Sequence, residues 1–407
     1  MNPAGSGAGG RPLLVMADGP SGPLPDPAVI AARVGLEDPQ VVLGWVVRTP
    51  PWLATTALEV TTLLTGPGTR AGVQAGKVRS AAVRLSAVPG LLAGRFRPTV
   101  AVVAAYEDGR RWRLAHSPGW APDATRHAGG VVIERWPAPA RGGALAHEPA
   151  PGIEVEGRVI AVVDRREPPD APPPNEPGPA HARIGELAAA LVPPGATIQW
   201  GPGVTAASVV AALQVPVRVR SGLVTDELVA LERAGLLAGT AEAAYLWGGP
   251  DLGGMAAGGR LALRTVRQIH DISAISRVER FVAINTALEV GLDGSVNVEW
   301  AGGRAVAGPG GHPDFCAGAS RSPGGLSIVA LPSAAGGRSS IVAAPAVVST
   351  PRIDVDVVVT EQGVADLRGL DDAGRAERLA RVAAPEHRDA LAAQARRRWG
   401  IHPGVAG

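Results

Sequence analysis

Residues 164–182 read DRREPPDAPPPNEPGPAHA, and the prolines from Pro168 to Pro179 divide the chain in two. Proline has no backbone N–H and a fixed φ, so such a run continues neither a helix nor a central strand. The segment is read as an interdomain connection, with an N-terminal α/β domain over residues 25–175 and a C-terminal one over 176–407. Before it, short apolar runs (VVLGWVV, TVAVVAA, GGVVIER, RVIAVVD) alternate with helix-like segments such as DPAVIAARVG. Strands that cross over to helices in this way predict an open α/β sheet. Aromatic residues are only 3% of the chain against 46% hydrophobic, so the core must come from Ala, Val and Leu, which suits α/β layers. Residues 1–24 are rich in Gly, Pro and Ser and are expected to be poorly ordered.

Several function classes fall away at once. The net charge is +2 with basic residues dispersed, so nucleic acid is not expected as a partner. Lys77 is the only lysine, which argues against Schiff-base chemistry. Cys316 is the only cysteine, so neither a disulfide framework nor a zinc cluster is expected. The eight histidines show no metal-ligand spacing, and no metal or permanently bound cofactor is predicted. There is no run of 18 apolar residues and no signal-type apolar core at the N-terminus. A cytoplasmic protein with no membrane partner is the expectation.

In the second half, Ile184, Leu187, Ala188 and Leu191 follow helical spacing. The strand ATIQW then runs into Gly201-Pro202-Gly203, and Thr205 is read as the N-cap of the helix AASVVAAL. A glycine turn between strand and helix presents amides to an anion. Alone it is equally a plain tight turn. In IDVDVVVTEQGVADLRG, Ile353, Val355, Val357 and Val359 alternate with Asp354 and Asp356, predicting a half-buried strand that ends at Glu361-Gln362-Gly363. Ligands bind beyond the carboxyl ends of such strands, where Gly363 would offer an unhindered amide; a glycine needed only for positive φ fits as well. In INTALEVGLDGSVN, Glu289 lies within an apolar run. An unpaired buried carboxylate is costly, so it must be paired, neutralised or functional.

Taken in order, RLSAVPGLLAGRFRPTVAVV (84–103), GPGVTAASVVAAL (201–213), VRSGLVTDELVALERAGLL (219–237), INTALEVGLDGSVN (284–297), GPGGHPDFCAGASRSPGGLSIVALPS (308–333), VVVTEQGVADLRG (357–369) and APEHRDAL (384–391) resemble the acetyl-CoA hydrolase/transferase family, which includes 4-hydroxybutyrate, butyryl and succinyl-CoA:acetate CoA-transferases. The resemblance implies two open α/β domains of CoA-transferase type with the active site in the cleft between them, and a homodimer. It implies Glu289 as nucleophile, attacking an acyl-CoA thioester and passing through a glutamyl-CoA thioester to a carboxylic acid acceptor. Coenzyme A esters are then substrates rather than bound cofactors. The implied oxyanion donors are the amide of Gly363 and one around Leu263, Arg264, Thr265 and Val266. Gly201, Gly203, Asn297, Gly310 and Gly311 are implied substrate or CoA contacts. Arg338 and Ser339 are either a CoA phosphate or pantetheine contact or a surface turn.

The chain departs from the family pattern at three places: Thr265 where a glycine is expected, His312 for a glutamine, and Leu326 for a lysine. These keep two alternatives in view, an acyl-CoA hydrolase using the same site and a non-catalytic CoA-ester-binding homologue. Cys316, with small apolar neighbours and no adjacent base in sequence, is read as core packing. His312 is read as loop packing.

Overall fold

The computed structural model describes residues 10–16, 18–22, 24–115, 117–136, 153–165, 172–173 and 176–400. The first sheet orders its strands Val78–Ser80, Val60–Thr62, Gln40–Leu43, Leu13–Met16, Val100–Asp108, Gly130–Arg135 and Val159–Asp164, all parallel. Arg111–Leu114 folds back antiparallel on Val100–Asp108. The second sheet runs Leu261–Leu263, Ala241–Leu246, Arg218–Val224, Thr197–Trp200, Phe281–Thr286, Leu326–Ala330, Val357–Thr360 and Gly363–Asp366, with only the last antiparallel. Parallel strands covered on both faces need continuous apolar runs rather than alternation, which is what VAVVAA and FVAI supply.

Both sheets are laid down alike. Each starts with a central strand, adds three strands outward on one side, then crosses to the other side of the first. The strand order therefore reverses between Leu13–Met16 and Val100–Asp108, and again between Thr197–Trp200 and Phe281–Thr286.

Several expectations need correcting. Leu13–Met16 lies inside the segment expected to be poorly ordered, yet it is a central strand with Leu14, Val15 and Met16 wholly buried. Its short apolar tetrad finds a partner strand on each side, which outweighs the Gly/Pro-rich flanks. Residues 1–9, and most of the proline-rich connection (166–171 and 174–175), lie outside the described residues. The helix Pro179–Ala189 begins within that connection, with proline at its first turn, where a missing N–H is harmless. The helix after Gly203 starts at Val204, so Thr205 is a buried helical residue rather than the cap. The alternation at 353–359 also misleads. Only Val357–Thr360 is strand, buried at all four positions, while Arg352–Asp354 is a 3-10 turn that exposes Ile353. Asp354 is instead buried against Arg321, 3.0 Å away.

The sheets share an interior. One apolar cluster joins Val15, Leu63, Leu92 and Trp120 of the first half to Leu223, Tyr245, Phe281 and Phe315 of the second. Polar contacts stitch the same seam. Buried Asp314, in the first turn of helix His312–Ala319, accepts hydrogen bonds from the Ser86 backbone (2.9 Å) and hydroxyl (2.6 Å). The Leu85 amide donates to the Gly310 carbonyl at 3.1 Å. A large apolar interface of this kind disfavours free hinge motion. Among the described residues no helix is long and apolar enough to cross a membrane.

His270 packs at a tilt into this seam against Phe315, with ring centroids 4.8 Å apart, and leaves no room above Gly311. A Cβ there would stand 2.3 Å from the His270 ring. Gly311→Ala should therefore lower the thermal midpoint, by the roughly 1–3 kcal/mol that overpacking removes. Gly254→Ala, in a helix with nothing within 4 Å, should be neutral or stabilising. Equal midpoints for the two variants in a melt would contradict this packing.

Candidate active site

Open parallel sheets bind ligands beyond the carboxyl ends of their strands where the strand order reverses. In the second sheet that point lies between Thr197–Trp200 and Phe281–Thr286. Below it, Gln199 and Asn285 exchange side-chain hydrogen bonds of 3.2 and 3.1 Å and tie the two strands together. Trp200 leads into Gly201 and Gly203, the latter at φ 118 with open space around it. Thr286 leads, two residues on, into the short strand Glu289–Gly291.

That strand is one arm of a hairpin. It pairs antiparallel with Val296–Asn297, setting Glu289 opposite Asn297, and parallel with Ile341–Val342. Gly294 at φ 92 and the Asp293 carboxylate, bonded to the Ser295 amide (2.9 Å) and hydroxyl (2.5 Å), close the turn. Glu289 is half-buried, and its Oε2 accepts from Asn297 Nδ2 at 2.8 Å and from the Ala346 amide at 2.9 Å. Among the described residues nothing donates to Oε1. One carboxylate oxygen is thus held by two donors and the other, among the described residues, by none.

Asn297 is fully buried. Its second amide hydrogen goes to the Trp300 carbonyl at 2.7 Å, and its Oδ1 accepts from the amides of Glu299 and Trp300, both at 2.9 Å. Trp300, Gly303, Arg304 and Ala305 form one wall of a cleft of about 330 Å³. Val73, Gln74, Ser80 and Ala82 of the first half form the other. Gln74 and Arg70 reach across to the carbonyls of Ala305 and Val306, at 2.7 and 2.6 Å. Asn297 thus hydrogen-bonds both the Glu289 carboxylate and the backbone of Trp300, which lines the cleft.

The expected oxyanion donors are not assembled here. Arg264 N–H donates to Ala243 O, Thr265 N–H to Gln268 Oε1 and Val266 N–H to Gly119 O, at 2.8, 3.0 and 2.8 Å. Thr265 is the N-cap of helix Val266–Ile269, which is why it is not a glycine. Leu263 ends the edge strand, with three strands between it and Phe281–Thr286. Four strand spacings amount to roughly 19 Å. Gly363, at φ 147, closes a two-residue hairpin opposite Thr360. Its Cα lies opposite Thr360 in the ladder, three residues before Asp366.

The remaining expected contacts divide. Gly310 and Gly311 serve the seam, contacting Leu85 and His270, rather than an open site. Arg338 is exposed at the end of a small hairpin and leans over Gly302, whose added Cβ would be 3.7 Å from its guanidinium. Ser339 donates to the Ile341 carbonyl at 2.7 Å. Leu326 is core, buried in its strand. Sequence reasoning missed the Ala346 amide altogether, because a backbone donor in APAVVS carries no residue signal.

It also missed a base beside the cysteine. His312 opens a helix instead of lying in a loop, so it sits one turn from Cys316, with Nδ1 3.5 Å from Sγ and 2.8 Å from Thr350 Oγ1. The pair is inert nonetheless. Burial pushes the Cys316 thiol up to about 12 and the His312 imidazole down to about 4, so both are neutral at physiological pH. A disulfide reagent at pH 8 should leave Cys316 unmodified in the native protein and titrate one thiol after unfolding. Fast modification of the native protein would overturn this assignment.

Two largely parallel sheets share a buried seam, and the Glu289 carboxylate follows the second sheet's point of reversed strand order. Residues 255–395 match the acetyl-CoA hydrolase/transferase C-terminal domain. It is 32% identical to a 4-hydroxybutyrate coenzyme A transferase of Clostridium kluyveri over 238 residues, 54% of this chain and 56% of that protein. It is 36% identical to a butyryl-CoA:acetate CoA-transferase of Anaerostipes caccae over 134 residues, 31% and 30% of the two chains. The chain is thus matched over about half the length of these curated relatives, or less. The crystal structure of a 4-hydroxybutyrate CoA-transferase from Porphyromonas gingivalis is similar at TM-score 0.73 and 26% identity, covering 96% of this chain and 94% of that one. RipA from Yersinia pestis superposes at TM-score 0.79 over 98% and 96% of the chains; at 23% identity it shows the fold alone.

Proposed function

We propose that the chain is an acyl-CoA:carboxylate CoA-transferase with Glu289 as its nucleophile. The observation that carries this is the uneven bonding of the Glu289 carboxylate: two donors on Oε2, none on Oε1 among the described residues. Oε1 attacks the thioester carbonyl, and collapse of the adduct expels CoA thiolate and leaves a mixed anhydride. The thiolate then attacks the glutamyl Cδ. Negative charge develops on Oε2, which already faces Asn297 Nδ2 and the Ala346 amide at hydrogen-bond distance. Loss of the acyl carboxylate, which departs with Oε1, leaves a glutamyl-CoA thioester. An acceptor carboxylate reverses the steps and leaves as its CoA ester. Splitting the exchange into two covalent halves replaces one difficult displacement with easier ones.

The cleft beside Trp300 is the proposed place for the CoA ester, with Gly201 and Gly203 and the guanidiniums of Arg304 and Arg338 as candidate contacts. A homodimer belongs to the same reading, and light scattering tests it. If water met either intermediate, the site would be a hydrolase instead. Release of free CoA without any acceptor, at the rate of transfer, would select that reading.

Incubation with an acyl-CoA and no acceptor should leave CoA attached to the peptide containing Glu289, releasable by hydroxylamine. Glu289→Gln should abolish both adduct and transfer, because a neutral amide forms no anhydride, with circular dichroism unchanged. Asn297→Asp keeps the Oδ1 acceptor but sets a carboxylate against Glu289. It should lower kcat by about 100-fold or more, the scale of losing an oxyanion donor. Cys316→Ala should retain most turnover, with at most some loss of stability from a small cavity. Full turnover by Glu289→Gln would falsify the assignment.

A further inference from the structure

Asp18 follows the first strand of the first sheet, at that sheet's own point of reversed strand order. There the crevice is plugged by the second half: the Tyr245 ring, 4% exposed, enters between Gly19 and Gly119 and its hydroxyl donates to Asp18 Oδ2 at 2.8 Å. Both glycines have positive φ, 82° and 49°. A Cβ on either would stand 2.9 or 2.7 Å from the Tyr245 ring, so the clasp requires them. The Trp120 amide also donates to Oδ2, at 3.0 Å. Oδ1 is buried with no partner, beside a space of about 20 Å³, room for a single water.

The surroundings offer this carboxyl little compensation. The space is walled mainly by apolar groups, Val102, Val103, Leu114, Ala115, Trp120 and Ala121, with the Ser117 hydroxyl accepting from the Leu246 amide at 2.9 Å. On that helix Asp123 is already paired with Arg267 of the second half, at 2.7 Å. Behind Ser21, the buried Arg165 and Glu134 pair with each other at 2.8 Å. Strand Leu13–Met16 carries no ionisable side chain, and from the second sheet only the phenol of Tyr245 faces the carboxyl.

We propose that the Asp18–Tyr245 clasp is a pH-sensitive fastening between the two halves, held when Asp18 is protonated and loosened when it ionises. Protonated, the carboxyl is neutral in an apolar wall. Ionised, it leaves a charge with one bare oxygen in the seam, and opening lets water reach it. Burial raises the group to about 7, more than the Trp120 amide and the Tyr245 hydroxyl lower it, so the change falls near neutrality. The sign follows from linkage. The closed form holds the proton more tightly than the open one, so the group's contribution to closure is full below the ordinary aspartate range and lost as pH rises through about 7.

Hydrogen exchange of the full chain, corrected for the chemical rate, tests this at pH 6 and pH 8. Amides of 117–124 and 243–247 should lose about tenfold in protection between the two, the factor linkage gives for one such proton. Amides in the centre of the second sheet, at 282–284, should not change. Asp18→Asn, which carries no titrating proton, should abolish the difference. Tyr245→Phe keeps the ring but removes a donor that favours the ionised form, so its loss of protection should move to higher pH. Equal protection at both pH values in the wild type, or the same tenfold fall in Asp18→Asn, overturns the proposal. So does a shift to lower pH in Tyr245→Phe.

Discussion

Asn297 has four hydrogen-bonding positions and fills all of them: two hydrogens, on Glu289 and the Trp300 carbonyl, and two acceptor positions, on the Glu299 and Trp300 amides. A buried amide satisfied in this way cannot rotate without breaking several bonds at once. The orientation of Glu289 therefore depends on one side chain that also fixes the start of the hairpin walling the cleft. The Glu289 carboxylate and the Trp300 wall of the cleft are therefore held by the same side chain. The short strand carrying Glu289 has only three residues, so it owes its shape to these cross-connections rather than to its own length.

Much of this was legible in the sequence, and the limits have physical causes. The apolar runs VAVVAA and VVIE read as strands because parallel strands buried on both faces permit little else. Glu289 stood out because a carboxylate in an apolar run needs a reason. LLVM at 13–16 was lost among glycines and prolines, since its stabilisation comes from strands 24 or more residues away. The alternation at 353–359 imitated a half-buried strand, but Asp354 and Asp356 are held by Arg321 and the Ser327 amide. Backbone donors were the least legible of all. Which amides are spare depends on every other bond in the vicinity, and the segment at 263–266 had spent its own on the seam and on a helix cap.

The two sheets share a strand order and hence a crevice each, but the two crevices have opposite fates. In the second, a carboxylate is left with one oxygen unbonded beside a cleft. In the first, a tyrosine from the other half fills the space and a carboxyl is sealed beneath it. A tyrosine is well suited to this, since its ring replaces a ligand's apolar bulk while its hydroxyl meets the polar group at the bottom. One crevice is given over to joining the halves, and the other is left open.

The outer strands of both sheets bear on a different matter, the behaviour of many copies in a crowded solution. A parallel sheet ends in unpaired amides and carbonyls that can recruit a strand from a neighbouring molecule. Here two of the rims, Val78–Ser80 and Leu261–Leu263, are only three residues long, and the first follows Lys77 and carries Arg79. A third is the antiparallel turn-back of Gly363–Asp366, four residues long. The longest rim, Val159–Asp164, ends in Asp-Arg-Arg and is followed in the sequence by prolines from Pro168. Residues without an N–H cannot extend that rim into a template. The same run that divides the chain into halves thus also discourages it from sticking to its own copies.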